Sequence, residues 1–199
     1  MTILAPHPPA RPLVEEPEPY SKEEFAILAQ TYPDLRMELT QAGEIVIMPP
    51  VKSRTGRRNA DLTADLVIWN RVTKKGIVFD SSAGFTLQNG AERSPDASWV
   101  EASRWEALSE EQKDDFAPLC PDFVIELRSK TDRLSKLREK MQEYAASGAR
   151  LGWLIDPQSR RVEVYRPGQD VQALDAPDTV SGDPELPGFV LDLGPVWAG

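Results

Sequence analysis

Apolar residues along the chain fall into two helical stripes separated and followed by short strand-like runs. Between about Arg57 and Val72, Leu62, Leu66 and Trp69 recur at helical spacing, and Lys74-Lys75-Gly76 supplies a basic, glycine-terminated end. A second stripe, Leu134, Leu137, Met141, Tyr144 and Ala145, predicts a helix from about Arg133 to Ser147 with Gly148 as its stop. Ahead of both, Ser21 followed by Glu24 is a capping-box pattern that opens a helix through Phe25, Leu28 and Ala29 to about Tyr32, where Pro33 ends it. Met37 to Leu39 and Ile45 to Met48, around Ala42-Gly43 and closed by Pro49-Pro50, predict a β-hairpin. Further strands are predicted at Ile77 to Phe79, Phe85 to Leu87, Asp96 to Val100, Phe123 to Leu127, Leu151 to Ile155, Val162 to Tyr165 and Phe189 to Leu193, with an acidic helical excursion from Ser103 to about Phe116.

Residues 1 to about 19 break this pattern. Six prolines and three glutamates there leave almost nothing to bury, which predicts a mobile tail over 1–19 and one α/β domain over 20–199. A chain of 199 residues is long enough for one sizeable core. No apolar run approaches the roughly 18 residues of a membrane span, and the N-terminus lacks a basic start with a continuous apolar stretch. The expectation is a cytoplasmic protein with no membrane partner.

Composition narrows the chemistry. One cysteine, Cys120, cannot form an internal disulfide or a Cys-rich zinc site, and the one histidine, His7, lies in the proline-rich tail. Histidine triads and multi-histidine metal sites are thereby excluded, so catalysis would run on carboxylates, lysine, arginine, serine or tyrosine. The net charge of −9 argues against strong nonspecific nucleic-acid binding, which depends on neutralising phosphates with Lys and Arg, although it permits a local basic groove. Arg54, Arg57, Arg58, Lys74, Lys75, Arg93, Arg128, Arg133, Lys136 and Lys140 are the cations from which such a groove could be built.

Two acids stand out. Asp96 starts one predicted strand and Glu126 ends another, and acids from adjacent strands can meet at one hard cation, which magnesium sites typically bind through one or two carboxylates plus water and phosphate. Asp122 shares the parity of Glu126, but four residues of strand put it roughly 13 Å away, so it suits the opening of the strand better than the ion. Taken singly, each acid is an ordinary turn or strand-end residue; the pair in this order is what points to metal. Two cations could stabilise charge developing on a phosphate: Arg128, two residues after Glu126, and Lys140, which flanks the apolar face of its helix one turn before Tyr144. Each could equally be a surface cation on a mixed-charge segment, and Lys136 points further out.

In order along the chain, Arg36-Met37-Glu38-Leu39, Phe79-Asp80-Ser81-Ser82-Ala83-Gly84-Phe85, Arg93-Ser94-Pro95-Asp96, Pro121 to Ser129, Lys140 to Tyr144 and Leu151 to Pro157 resemble the Uma family of restriction-endonuclease-like proteins, a branch of the PD-(D/E)XK nuclease superfamily. The similarity covers roughly residues 20 to 195. It implies a restriction-endonuclease-like core, a central mixed β-sheet flanked by helices, with the hairpin at its N-terminal side. It further implies a Mg (or Mn) dependent endonuclease acting on DNA, compatible with a homodimer. Asp96 and Glu126 match the motif acids that hold the metal, and Glu38 matches an N-terminal acid that can complete the site. Arg128 stands where the superfamily has lysine; arginine does not carry protons near neutral pH, so the lysine role can have moved to Lys140. Two rivals remain at this point: a weak or inactive nuclease-fold protein serving as a binding or assembly module, which the acidic balance and Arg128 favour, and a hydrolase of a small phosphorylated substrate.

Overall fold

The structure is a computed structural model and describes residues 18–198; the tail expected over residues 1–19 lies almost wholly outside the described residues. In chain order the elements are α1 (Lys22–Thr31), β1 (Arg36–Leu39), β2 (Ile45–Met48), α2 (Ser53–Thr73), β3 (Gly76–Asp80), β4 (Phe85–Thr86), β5 (Glu92–Arg93), β6 (Ala97–Glu101), α3 (Ala102–Glu106), α4 (Glu110–Lys113), β7 (Phe123–Leu127), α5 (Leu134–Ala146), β8 (Leu151–Asp156), β9 (Arg161–Tyr165), β10 (Gln172–Asp175), β11 (Thr179–Ser181), β12 (Val190–Asp192) and α6 (Gly194–Ala198). The capping box at Ser21 and Glu24 is formed in both directions, as the spacing predicts. The expected acidic helix over 103–116 is instead two short helices, the second opened by its own capping box at Ser109 and Gln112.

Six strands form the central mixed sheet in the order β10-β9-β8-β7-β6-β3, in which only β7 and β8 run parallel. The hairpin β1-β2 belongs to a second sheet, β2-β1-β5-β4, and β11-β12 form a third. Alternation along β7 sorts its side chains between two layers. Phe123, Ile125 and Leu127 join Leu62, Leu66 and Trp69 of α2 in one core cluster, while Val124 joins Met141 and Tyr144 of α5 on the other face. Among the described residues no helix is long and apolar enough to cross a membrane.

Two glycines set spacing here. Gly76 was expected to stop α2, but Lys74 takes the left-handed conformation at φ 53° and ends the helix; Gly76 instead opens β3, where a Cβ would stand 2.2 Å from the Val100 carbonyl and 2.5 Å from the Trp99 ring. Gly152 lies in β8 beneath α5, where a Cβ would meet Met141 Cε at 2.5 Å and Val124 Cγ2 at 3.3 Å. Its bare backbone therefore fixes how closely α5, and with it Lys140 and Tyr144, approaches the sheet. Gly152→Val is expected to cost about 1–3 kcal/mol by overpacking, read as a lower denaturant midpoint with an unchanged slope. A midpoint equal to the parent's would show that α5 is not seated by this contact.

Candidate active site

The site forms where β6 and β7 run side by side. Ala97 pairs with Ile125 in an antiparallel ladder, so the preceding Asp96 stands opposite Glu126. Asp96 Oδ2 accepts a hydrogen bond from the Leu127 backbone N–H at 2.8 Å, and its Oδ1 accepts one from the Asn59 side-chain Nδ2 at 2.8 Å. Glu126, buried on the α5 side, accepts a hydrogen bond from the Tyr144 hydroxyl at 3.2 Å.

Lys140 reaches the same place from α5. Its Nζ lies 2.8 Å from Glu126 Oε1 and 2.7 Å from Glu38 Oε1, bridging the two acids. Glu38 comes from β1; it also accepts from the Ser94 backbone N–H at 2.9 Å and from Arg93 Nη1 at 3.1 Å. Arg93 in turn donates through Nε to Glu143. Four carboxyl groups, Glu38, Asp96, Glu126 and Glu143, thus face Lys140 and Arg93, with Arg36 also acting on Asp96.

This imbalance appears in the titration of the group. Burial raises Glu126 to about 7, and the neighbouring Asp96 and Glu38 carboxylates add to the rise against the pull of Lys140. Burial likewise raises Asp96. For Glu38, burial opposes ionisation, but Lys140 and Arg93 together outweigh it and hold the carboxyl below its ordinary value. Burial would lower Lys140; Glu126 and Glu38 overcome it and raise the ammonium above its usual range. Lys140 is therefore a cation at neutral pH and not a base.

The two acids consequently bear on stability with opposite sign. Glu126 takes up its proton more readily folded than unfolded, so it lowers stability as pH rises from its ordinary 4.5 through about 7. Glu38 contributes stability above its unfolded value, and loses it as pH falls through its depressed folded value. In chelator at pH 8, Glu126→Gln is expected to raise Tm by a few degrees, an effect fading towards pH 5, while Glu38→Gln lowers it. Thermal scans that move both variants in the same direction at pH 8 would contradict this charge arrangement.

Arg128 lies elsewhere. Its Nη1 pairs with Asp156 Oδ2 at 2.8 Å, tying the loop after β7 to the end of β8. Asp122 sits at the opposite end of β7, buried and bound by the Glu101 N–H, Arg104 and Arg150, as its expected strand-opening role requires. Lys136 is exposed and pairs with Glu139. Arg54, Arg57 and Arg58 cluster on the first turns of α2, where burial, followed by the repulsion of Arg54 and Arg57, depresses Arg58. A groove of about 620 Å³ runs along α2 past Asn59, Asp80, Ser81 and Asp96; among the described residues the one cation that lines it is Arg71, which is absent from the set anticipated for a basic cleft.

Among the described residues, no group of three or more His, Cys, Asp or Glu is arranged to hold a metal ion. Glu38 is thus linked to Glu126 through the Lys140 ammonium, without forming a three-acid set with Asp96. The donor set nevertheless fits a hard divalent cation. Magnesium needs only one or two carboxylates with water, the site carries more carboxyls than cations, and Asn59, bonded to Asp96 through Nδ2, keeps a buried Oδ1 that finds no donor among the described residues. Sequence reasoning missed Asn59, which reads there as one polar residue on the buried side of an amphipathic helix.

The family model described as "Uma2: Putative restriction endonuclease" matches residues 22–194 of the chain. Among solved structures, a crystal structure described as "a putative nuclease belonging to DUF820" from Anabaena variabilis superposes with a TM-score of 0.76 at 23% identity, covering 90% of this chain and 98% of that one. At that identity the likeness shows a shared fold, the mixed sheet flanked by helices. No curated protein matches the chain.

Proposed function

This chain belongs to the Uma2 family, and we propose that it is a divalent-cation-dependent endonuclease hydrolysing DNA phosphodiester bonds. The observation that carries the reading is the meeting of three segments: Asp96, one residue before β6, opposite Glu126 of β7, with the Lys140 amine of α5 against Glu126. Asp96 and Glu126 would hold Mg (or Mn), which when bound supplies an acidified water and neutralises charge on the phosphate. Lys140, cationic and anchored by Glu38, is placed to stabilise negative charge developing on the scissile phosphate. Tyr144, whose hydroxyl burial pushes well above its ordinary value, remains a phenol and holds Glu126 by donating to it. Arg54, on the first turn of α2 and N-terminal to Asn59, suits backbone phosphates flanking the scissile bond, whereas Arg57 pairs with Asp61 and Arg58 donates to the Val196 carbonyl.

A second reading, a catalytically weak or inactive binding module, is favoured by one specific observation: Arg128, at the position of the superfamily lysine, is committed to Asp156. Incubating purified protein with supercoiled plasmid and single-stranded DNA in Mg²⁺, in Mn²⁺ and in chelator separates them. Cation-dependent nicking or linearisation supports the nuclease; DNA retention without cleavage in either metal supports the module.

A further inference from the structure

Asn59 projects from the buried side of α2 and is only 9% exposed. Its Nδ2 donates to Asp96 Oδ1, while its own Oδ1, though buried, accepts no hydrogen bond among the described residues. A buried amide oxygen without a donor is costly and uncommon. Its neighbour explains the orientation: both Asp96 oxygens act as acceptors, Oδ1 towards Asn59 and Oδ2 towards the Leu127 N–H, so the amide turns its nitrogen to the carboxyl and leaves its own oxygen unpaired. Asn59 and Asp96 line the same groove along α2. An acid from the edge of β6 and an amide from α2 therefore line one groove and are bonded to each other, and carboxylate and amide oxygens are both ligand types that hard cations and their bound waters accept.

We propose that Asn59 is the positioning residue of the cation site, holding Asp96 in its ligating orientation through Nδ2 and offering Oδ1 to the cation or to a water bound to it. The inference rests on the nuclease reading and deepens it. Asp96 sits one residue before β6 begins, and its two carboxylate oxygens are fixed separately, Oδ2 by the Leu127 N–H of β7 and Oδ1 by Asn59. With the amide gone, the carboxylate keeps one of its two anchors and is free to turn about it. Partners of this kind that orient a ligating carboxylate typically contribute 10–100-fold in metal affinity or activity.

The test titrates Mn²⁺ and Mg²⁺ into the full-length protein by calorimetry and follows Tm and plasmid cleavage on the same preparations. Asn59→Ala and the volume-filling Asn59→Leu are expected to weaken cation affinity and to lower kcat by about 10–100-fold, with KM for DNA little changed. Both should keep a Tm in chelator close to the parent's but lose most of the rise that the cation gives the parent. Asn59→Gln, which keeps the amide, should recover part of the affinity. If the parent binds cation and Asn59→Leu, folded by its Tm, binds it equally well, the positioning role is wrong while the nuclease reading stands. Equal loss in Gln and Leu variants, with Tm lowered alike, would make Asn59 a packing residue only. A parent that neither binds cation nor cleaves DNA would remove the nuclease reading itself, and this inference with it.

Discussion

Replacing Asp96 or Glu126 by alanine is expected to abolish both cation binding and DNA cleavage. The two acids stand opposite each other, Asp96 just before β6 and Glu126 within β7, and neither has a ready substitute. Glu38 is occupied by Lys140, Arg93 and the Ser94 N–H, and Asp122 is bound at the far end of β7. A near-octahedral magnesium site does not replace a lost carboxylate with a distant one. Asp96→Ala also leaves the Asn59 amide and the Leu127 N–H without their acceptor, so a modest fall in Tm should accompany the loss. Glu126→Ala removes a carboxyl that burial disfavours in its charged form, so its loss of function should come without a comparable loss of stability. Calorimetric titration with Mn²⁺ beside plasmid nicking reads both effects. Cleavage within tenfold of the parent in either variant would mean that these acids do not hold the catalytic ion.

Lys140→Ala is expected to lower cleavage by about 10²–10³-fold, the scale of losing one electrostatic stabiliser. It should also destabilise the cation-free protein by roughly 3–5 kcal/mol, because the ammonium is the shared partner of two buried carboxylates that would then face each other unbalanced. Binding of the divalent cation supplies positive charge to the same acids, so Mg²⁺ should raise the Tm of Lys140→Ala by more than it raises the parent's. This coupling distinguishes an amine that acts at the site from one that only holds the fold. Arg128→Ala provides the contrast. Its loss frees the buried Asp156 and should lower Tm while leaving cleavage by the folded enzyme within a few-fold of the parent. Lys140→Ala cleaving like the parent beside a folded but dead Arg128→Ala would return the superfamily lysine role to position 128.

The sequence by itself determined the local elements whose signals are local. The capping box at Ser21, the helical stripes of α2 and α5, and the run Phe123 to Leu127 are found where periodicity and turn residues placed them, although α2 begins at Ser53, a turn before the expected start near Arg57. Spacing along one strand also separated Asp122 from Glu126 without any tertiary information. Short strands escaped. β5, β10 and β11 have two to four residues each and exist because a neighbouring strand pairs with them, a condition no short window of sequence expresses. The break between α3 and α4, by contrast, does carry a local signal, the capping box at Ser109 and Gln112 that opens α4.

At the candidate site the division follows the same physics. Residue type and order nominated Asp96, Glu126, Lys140 and Arg128, and family resemblance added Glu38, but which cation serves which acid is a matter of reach across 102 positions of chain between Lys140 and Glu38. Only the seating of α5 on β8 over Gly152, and of β1 against β5, brings that amine and that carboxylate together while Arg128 turns to Asp156. Burial, which raises Glu126 towards neutrality and leaves Asn59 Oδ1 without a donor, is likewise a property of the assembled layers. Side-chain chemistry is written residue by residue, whereas desolvation and long-range charge pairing exist only once the chain has closed around them.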